Sequence, residues 1–269
     1  MSHENLVLSL FPGADLLGRG FESEGCCVVR GPDLGWGGDV RTVHPPPGAF
    51  GGVIGGPPCQ DFSRARRCPP TGNGVAMLHE FARVVMEASP DWWLMENVPG
   101  VHDLMIEGYT IQRLNLNASE CGCRQNRLRR IQFGTRDGSM LVCDRAVTFS
   151  DLERTCLASE ASRPDRRGWG DFCELQGLPR DFDLPGLSVA AKYRAVGNGV
   201  PVPMARVLAR AVRARQSSLL VRLCACGCGR PLSGRQTRAT PACRKRLERA
   251  RRAARQRPPR EDTVNAWQL

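Results

Sequence analysis

Short apolar runs alternate along the chain with segments whose apolar side chains recur at a helical spacing. The runs are bounded by Gly, Pro or Asp, a pattern typical of buried strands. The segments between them carry apolar residues about 3.6 positions apart, which predicts helices. Strands that alternate with helices indicate an α/β fold with a mostly parallel sheet. The predicted strands lie at residues 6–11, 26–30, 49–56, 90–95 and 114–117, and the predicted helices at 16–24, 75–89 and 204–213.

Two of these predicted strands are followed by a chemically reactive side chain. Cys59 follows a Gly-Gly-Pro-Pro turn, whose prolines fix the backbone and remove hydrogen-bond donors. Glu96 follows the strand at 90–95, and parallel neighbours would bring both side chains to the rim where open α/β sheets bind ligands. A thiol and a carboxylate supply a nucleophile and a proton donor or acceptor. The alternatives are an inert buried cysteine and a carboxylate that only caps a turn.

The first predicted strand is followed by a glycine-containing turn at residues 12–20, which is how α/β folds open a cofactor pocket. These glycines do not follow the dinucleotide-binding fingerprint. Asp33 ends the second strand about 20 residues later, where a carboxylate suits a ribose diol. Asp39 follows it. Each of these two acids is also a common turn residue, and that alternative stays open.

Composition bounds the class of protein. The 269 residues are enough to bury a substantial core, and the chain carries 13 cysteines, an odd number. We find no secretory signal at the first residues and no apolar run of membrane-spanning length. We therefore expect a cytoplasmic, reduced protein, not inserted in a membrane, whose thiols are free or bind a metal.

The positive charge is concentrated near the C-terminus. The net charge is +11, and residues 222–260 hold 13 Lys and Arg against the single acid Glu248. The first 221 residues are close to neutral, with 25 basic and 24 acidic side chains. A localised basic segment favours a polyanion as partner, above all nucleic acid. The alternative is a solvated, disordered tail.

Seven short motifs follow one another along the chain: F-P-G (11–13), G-D-V (38–40), G-P-P-C-Q (56–60), E-N-V (96–98), Q-N-R-L-R (125–129), Q-G-L-P (176–179) and G-N-G-V (197–200). Their order and spacing resemble those of the DNA cytosine-5 methyltransferases over most of residues 6–212. The resemblance implies a Rossmann-like, S-adenosylmethionine-dependent methyltransferase fold.

The resemblance implies covalent catalysis on a cytosine flipped out of double-stranded DNA. Cys59 is expected to attack C6 as a thiolate, and Glu96 to hold or protonate N3. Arg129 is expected to contact the base oxygen and to order Glu96. A methyl group passes from S-adenosylmethionine to C5.

The same resemblance implies the binding residues. The residues expected at the cofactor are Phe11, Gly13, Asp33, Asp39, Val40, Pro58 and Asn198. Those expected at DNA near the flipped base are Gln60, Ser63 and Arg127, with the loop at residues 61–71 as the mobile catalytic loop.

The chain departs from the family pattern in three places. Asp15 and Leu16 occupy the second and third glycine positions of the first motif, and Gly199 stands where serine is common. The target-recognition insert, at residues 136–168, is much reduced. Sequence readout needs side chains that reach base edges. We therefore expect short or relaxed specificity, or recognition supplied by another part of the chain.

The C-terminal segment is the candidate for that part. Its cysteines resemble a small zinc knuckle, although Ala239 stands where such modules usually carry another cysteine. Unliganded cysteines are the alternative. The basic helix or tail that follows is expected to bind phosphates without sequence preference. The expected zinc ligands are Cys224, Cys226, Cys228 and Cys243, and the expected DNA contacts are Arg244, Lys245 and Arg246.

The sequence thus predicts a DNA (cytosine-5) methyltransferase, and it leaves open whether a restriction endonuclease is its genetic partner. Two alternatives remain: a cytosine-5 methyltransferase of RNA, and a non-catalytic DNA-binding regulator on the same fold. The target sequence and oligomeric state stay open. The predicted domains are a catalytic domain at 1–135 and 169–215, the insert at 136–168, a Cys/Arg-rich module at 222–257 and a disordered end at 258–269.

Overall fold

The computed structural model describes residues 3–63, 66, 68–145, 149–217, 224–228, 230, 232, 236, 240–255 and 263–265. Ten strands and six α-helices lie within these ranges. The strands are β1 (Leu6–Leu10), β2 (Cys27–Arg30), β3 (Gly52–Gly55), β4 (Trp92–Asn97), β5 (Asp103–Met105), β6 (Thr110–Asn117), β7 (Leu128–Thr135), β8 (Ser139–Met140), β9 (Gln216–Ser217) and β10 (Thr263–Asn265). The helices are α1 (Leu16–Ser23), α2 (Asn73–Ala88), α3 (Trp169–Leu175), α4 (Val189–Asn198), α5 (Val202–Arg213) and α6 (Pro241–Arg255).

A six-stranded sheet in the order β2-β1-β3-β4-β7-β6 organises the chain. The first four strands of that order pair in parallel, whereas β7 is antiparallel to both β4 and β6. The mostly parallel α/β fold predicted from the sequence is confirmed, and its open order matches a Rossmann-like sheet.

The central strand β4 is buried on both faces, as expected for a strand covered by helices on either side. Trp92 packs on one face near Phe21 of α1, with the rings 5.9 Å apart. Trp93 packs on the other face against Phe81 of α2, also at 5.9 Å. Helix α5 joins α1 on the first face. The alternation of side chains along β4 therefore divides the hydrophobic core into two layers.

Strand limits differ from the predicted ones where pairing continues beyond the apolar run. Strand β4 includes Glu96 and Asn97, because its ladder with β7 extends to the pair Asn97 and Arg130. Likewise, β6 begins at Thr110, four residues before the predicted start, because it pairs with β7 along its whole length. Cross-strand hydrogen bonds set these limits, and hydropathy alone does not report them.

The C-terminal segment is partly described. Helix α6 begins two residues before Cys243, the last of the clustered cysteines, and β10 pairs in parallel with β5. Three residues of the predicted disordered end, at 263–265, are therefore a strand, whereas the rest of 258–269 lies outside the described residues. The predicted domain limits stay predictions. Among the helices in the described ranges, none is both long and apolar enough to cross a membrane.

Candidate active site

The predicted nucleophile and the predicted acid lie at the same rim of the sheet. Strands β3 and β4 are parallel neighbours whose register pairs Gly55 with Met95. Cys59 follows the end of β3, and Glu96 is the next residue of β4. The turn after β3 also packs on this carboxylate, because a Cβ placed on Gly56 would lie 3.4 Å from Glu96 Oε2.

Hydrogen bonds hold the turn that presents Cys59. Asn97, at the end of β4, donates its side-chain amide to the Pro57 carbonyl at 2.9 Å. The Cys59 carbonyl accepts from the backbone N–H groups of Phe62 and Ser63, both at 3.0 Å. The thiol is thus carried by a rigid turn tied to the neighbouring strand.

Arg129 orders the carboxylate. Its Nε lies 2.7 Å from Glu96 Oε1, and the Glu96 side chain is only 8% exposed. A short, partly buried charge-assisted contact of this kind fixes both side chains. The pair projects from two antiparallel strands and lies beside the turn that carries Cys59.

The electrostatic setting of Cys59 does not by itself produce a thiolate. Burial raises the pKa of the Cys59 thiol, and the negative charge of Glu96 raises it further. The guanidinium groups of Arg129 and Arg127 act in the opposite direction but do not cancel the rise. The free protein therefore holds Cys59 as a thiol at neutral pH. These interactions also show that all four groups share one neighbourhood.

Asp61 closes the loop that follows Cys59. Its carboxylate accepts the backbone N–H of Thr71 at 2.9 Å and that of Gly74, in the first turn of α2, at 2.7 Å. These bonds lower the pKa of Asp61, as expected for a carboxylate at a helix N-terminus. The loop is therefore pinned at its two ends, while Arg64, Ala65 and Arg67 lie outside the described residues.

Arg127 is buried rather than facing a DNA-binding surface. The side chain is almost fully enclosed, and its guanidinium donates only to backbone carbonyls. Burial, followed by the charge of Arg129, lowers the pKa of Arg127 to about 9, so it stays cationic at neutral pH. Its acceptors are the carbonyls of Cys156 at 2.8 Å, Gly197 at 2.9 Å, Gly199 at 3.1 Å and Asn198 at 3.3 Å.

This geometry gives Arg127 a structural role, as a clamp that joins its own motif to the segment at Cys156 and to the G-N-G-V motif. Beside it, Gln125 donates to Gln176 Oε1 at 2.9 Å, and Gln176 donates to the Val196 carbonyl at 2.6 Å. The Q-N-R-L-R, Q-G-L-P and G-N-G-V motifs thus meet in one buried polar network. The geometry gives no support to the predicted DNA contact of Arg127, which stays untested as a prediction.

The predicted cofactor loop has an unusual backbone. Phe11, Gly13 and Asp15 all have φ between 51° and 53°. That left-handed region costs a non-glycine residue about 1–2 kcal/mol, so the surroundings must impose it. Asp33 Oδ2 accepts the Gly13 N–H at 3.0 Å, and the Trp36 indole donates to the Gly13 carbonyl at 2.9 Å. Two later turns therefore brace this loop.

Asp15 replaces a family glycine with a buried anchor. Its Oδ1 accepts from the Ser9 hydroxyl at 2.9 Å and from the Gly18 N–H at 3.0 Å, and its Oδ2 lies 2.7 Å from Arg30 Nε. Burial outweighs these partners and raises the pKa of Asp15. The departure from the glycine pattern thus ties β1, α1 and β2 together below the loop.

The other predicted cofactor residues surround this region. Asp33 and Asp39 each cap a single helical turn, at Leu34–Trp36 and Val40–Thr42, so the turn role that the sequence left open is present. Of the remaining predicted residues, Val40 is buried, Pro58 and Ser63 are partly exposed, and Asn198 and Gln60 are exposed. Gly199 packs on Leu16, which places the closing motif beside the first loop.

A known protein family matches the part of the chain that carries this site. Residues 38–156 and 171–214 match the family model of the C-5 cytosine-specific DNA methylases. The match takes in more than half of the chain, including Cys59, Glu96 and Arg129. The chain belongs to this family.

Two curated members show the extent of the likeness. The Type II methyltransferase M.HgiDI of Herpetosiphon aurantiacus is 38% identical over 98 residues, which is 33% of this chain and 32% of that protein. The Type II methyltransferase M.SacI of Streptomyces achromogenes is 34% identical over 171 residues, 55% of this chain and 42% of that protein. The chain thus spans between a third and a half of the length of these relatives.

Solved structures share the fold of this methylase. A DNMT2 variant from Spodoptera frugiperda superposes with a TM-score of 0.55 at 14% identity, covering 78% of this chain and 99% of its own. A putative DNA modification methyltransferase of an Escherichia coli prophage gives 0.52 at 16% identity, covering 78% and 98%. At such low identity these likenesses bear on the fold alone.

The cysteine cluster lies outside the part of the methylase that matches the family. The sulfur atoms of Cys224, Cys226, Cys228 and Cys243 all lie within 4.8 Å of one another. That spacing suits a single tetrahedral ion bound by four thiolates. By contrast, Cys121 and Cys123 of the C-x-C sequence are buried in the core of the catalytic domain.

The sequence did not reveal the residues that position the catalytic groups. Asn97, Gln125 and Gln176 make buried hydrogen bonds between motifs that are distant along the chain, whereas Asp61 bonds the loop that follows Cys59. Their signal was present, because three of them lie within the motifs quoted for the family and Asp61 directly follows one. Which partner each one bonds is decided only by the fold.

We predict that Arg127→Gln lowers the free energy of unfolding by about 3 kcal/mol, because it leaves buried carbonyls without their donor. Arg124→Gln is the matched control: it removes the same charge three residues away, from an exposed side chain, and should stay within about 0.5 kcal/mol of wild type. Urea denaturation measures both. Equal midpoints for the two variants would contradict the clamp.

We also predict opposite effects of two substitutions on the alkylation of Cys59 by iodoacetamide at pH 7. Glu96→Gln removes a charge that raises the pKa of the thiol and should accelerate labelling by about threefold, whereas Arg129→Gln should slow it. Peptide mass spectrometry reads Cys59 separately, with the exposed Cys68 as an internal reference. Changes of the same sign in both variants would refute this electrostatic account.

Proposed function

We propose that the protein transfers a methyl group from S-adenosylmethionine to C5 of cytosine in DNA. The observation that carries this proposal is the placement of Glu96, held by Arg129, beside the turn that presents Cys59. A nucleophile, an acid and a cation at one rim suit a base that must gain electron density at C5. Family membership supports the same reaction.

The steps follow from these side chains. Cys59 gives its thiol proton to Glu96 as its sulfur forms a bond to C6 of the flipped cytosine, and the electrons of the C5–C6 and C4–N3 double bonds shift towards N3, which takes the proton from Glu96. C5 is then the nucleophile that takes the methyl group, with S-adenosylhomocysteine as the leaving group. Loss of the C5 proton to solvent restores the C5–C6 double bond and expels the Cys59 sulfur from C6, and N3 returns its proton to Glu96.

Activation of the thiol is part of this proposal. Because the pKa of Cys59 is raised in the free protein, the thiolate must form when the substrate is bound. When Glu96 takes up the thiol proton, the negative charge that opposes ionisation of Cys59 is removed, while the guanidinium groups of Arg129 and Arg127 still act to lower the pKa of the thiol. Glu96 then passes the proton to N3. The proton transfer and the attack on C6 therefore favour each other.

The residues present fit the cofactor. Gly13 has open space on the side where a Cβ would project, and the exposed Trp36 ring is fixed against its carbonyl. Each Asp33 oxygen accepts one N–H and keeps a lone pair for a ribose hydroxyl. S-adenosylmethionine, when bound, supplies the methyl group. The proposed contacts are Phe11, Gly13, Asp33, Asp39, Val40, Pro58 and Asn198.

DNA is the proposed substrate, with Gln60 and the catalytic-loop residue Ser63 near the flipped base. The exposed Arg244 and Lys245 and the partly exposed Arg246 of α6 offer phosphate contacts, since a basic helix binds the DNA backbone without sequence preference. The reduced insert leaves few side chains for base readout, so short or relaxed specificity is proposed. A restriction endonuclease partner remains a prediction that the Type II names of the relatives support.

Trapping of the covalent adduct on a duplex that contains 5-fluorocytosine, in the presence of S-adenosylmethionine, tests the proposed reaction. Fluorine at C5 cannot leave as the proton does, so the adduct between Cys59 and the base should persist through denaturing electrophoresis. Cys59→Ala should form none while it retains its fold. A Cys59→Ala protein that forms the adduct at the wild-type level would overturn the proposed nucleophile.

The same assay distinguishes the alternatives when run in parallel on DNA and on structured RNA. An adduct on DNA supports the proposed function. An adduct formed only on RNA would move the protein to RNA cytosine-5 methylation. No adduct and no methyl transfer on either substrate would favour a non-catalytic regulator on this fold.

We further propose that Cys224, Cys226, Cys228 and Cys243 bind one Zn²⁺. Four thiolates within a few ångströms of each other suit this ion better than unliganded cysteines. Elemental analysis of the purified protein should find one zinc per chain, and Cys228→Ser should lower that ratio. Metal-free protein whose circular dichroism and cluster reactivity equal those of protein loaded with zinc would contradict this site.

A further inference from the structure

The cysteine cluster is attached to the catalytic domain, rather than joined only through the chain. Arg230 lies between the third and fourth cysteines, and its Nη2 atom is 2.8 Å from Glu120 Oε1 of the catalytic domain. The backbone N–H of Asn115 donates to the Gly227 carbonyl, inside the cluster, at 3.0 Å. Strand β6 is the edge of the main sheet, so the cluster also covers an otherwise open edge.

This attachment lies at the catalytic rim. Strand β6 runs antiparallel to β7, with Leu116 opposite Arg129 and Asn117 opposite Leu128. Glu120 follows in the helical turn Ala118–Cys121, directly after β6. The docked cluster is therefore next to the strand end that projects Arg129 towards Glu96.

Further contacts fix Glu120 and Arg230 on their own sides of the ion pair. Its side chain is 11% exposed, and Oε2 accepts from Arg145 at 2.5 Å. It also completes a capping box with Asn117, whose side chain accepts the Arg127 N–H at 2.9 Å. Arg230 in turn uses its carbonyl to accept the Cys224 N–H at 2.8 Å. One carboxylate thus joins the cluster to the segment that carries the catalytic and clamp arginines.

A second attachment lies at the far end of the basic helix. Strand β10 pairs with β5, and β5 directly follows His102, whose ring is 5.1 Å from the ring of Phe62 in the loop after Cys59. Helix α6 carries Cys243 of the cluster in its first turn, and β10 follows this helix along the chain. The described segments before and after α6 thus both contact the catalytic domain.

We propose that the cysteine-cluster module, which comprises the four clustered cysteines and helix α6, forms one fixed side of the surface that binds DNA. This side is called the jaw, and the contact between Arg230 and Glu120 that holds it on the catalytic domain is called the latch. This inference rests on the proposed function, since the partner at this surface is duplex DNA. The latch holds α6 where its arginines meet the phosphates that flank the flipped base. The jaw supplies contacts to the DNA backbone that the reduced insert does not provide. Glu120 and Arg230 are positioning residues, and neither touches the reacting atoms.

The test uses Glu120→Gln, Arg230→Gln and the double variant in the full-length protein loaded with zinc. A glutamine oxygen at the place of Oε2 can still accept from the Asn117 N–H and from Arg145, so Glu120→Gln removes the ion pair with Arg230, leaves a neutral hydrogen bond to Arg145 and spares the capping box. The two single variants change the net charge in opposite directions. A purely electrostatic effect on DNA would therefore strengthen binding in one and weaken it in the other, whereas a latch predicts weakening in both.

Two readouts are measured: the Kd for a duplex at fixed salt, and the hydrogen exchange of the Asn115 amide. We expect each single variant to bind about fivefold more weakly, as for a modest coupling between sites, and the double variant to be no worse. The Asn115 amide should lose protection in all three. The amides of Leu114 and Leu116, which face β7 in the alternating ladder, should keep theirs. Zinc content should stay at one per chain.

Unchanged protection of Asn115, opposite shifts of Kd in the two single variants, or additive losses in the double variant would each overturn the latch. Because neither readout involves methyl transfer, the series can be carried in Cys59→Ala protein. Failure of the proposed catalysis is thus separated from failure of the jaw. Protection lost as expected, with Kd unchanged in all variants, would overturn the jaw's role in binding DNA.

Discussion

A carboxylate and a guanidinium meet where two antiparallel strands end, and the rest of the site is arranged around them. Glu96 and Arg129 can pair only because β7 runs against β4 in a register that sets Glu96 opposite Ile131, two residues beyond Arg129. A parallel neighbour at this position would have sent the strand start that carries Arg129 to the other end of the sheet. Strand β7 is the one strand of this sheet that runs in the opposite direction, and its direction therefore brings together the charged part of the site.

Around this pair, buried polar contacts do the positioning. Asn97 holds the turn of Cys59, Asp61 closes the following loop, and Arg127 ties the closing motif to the start of β7. Each of these side chains satisfies backbone groups that would otherwise be buried without partners. This explains in physical terms why widely separated motifs are polar at these positions, and why the cofactor loop and the catalytic turn keep one relative placement.

Hydropathy patterns predicted the α/β class and most strands of the six-stranded sheet, because a central parallel strand such as β4 must be apolar on both faces. Strand ends such as Glu96–Asn97 were missed, since cross-strand pairing extends beyond the apolar run. The motif order placed Cys59, Glu96 and Arg129 together, as the structure does. It did not indicate that Arg127 is enclosed and donates to backbone carbonyls of distant segments, because the fold alone sets those partners. The attachment of the cysteine cluster at Glu120 had no local signal, because it joins residues 110 positions apart.

The central claim is that the Cys59 sulfur adds to C6 of a cytosine, which loosens the hydrogen on C5. Release of tritium to water from a duplex labelled at C5 of cytosine tests it most directly. With S-adenosylmethionine present, the wild-type protein should release tritium and Cys59→Ala should release none. Methyl transfer by the wild-type protein with the C5 label retained, or equal release by Cys59→Ala, would contradict the account.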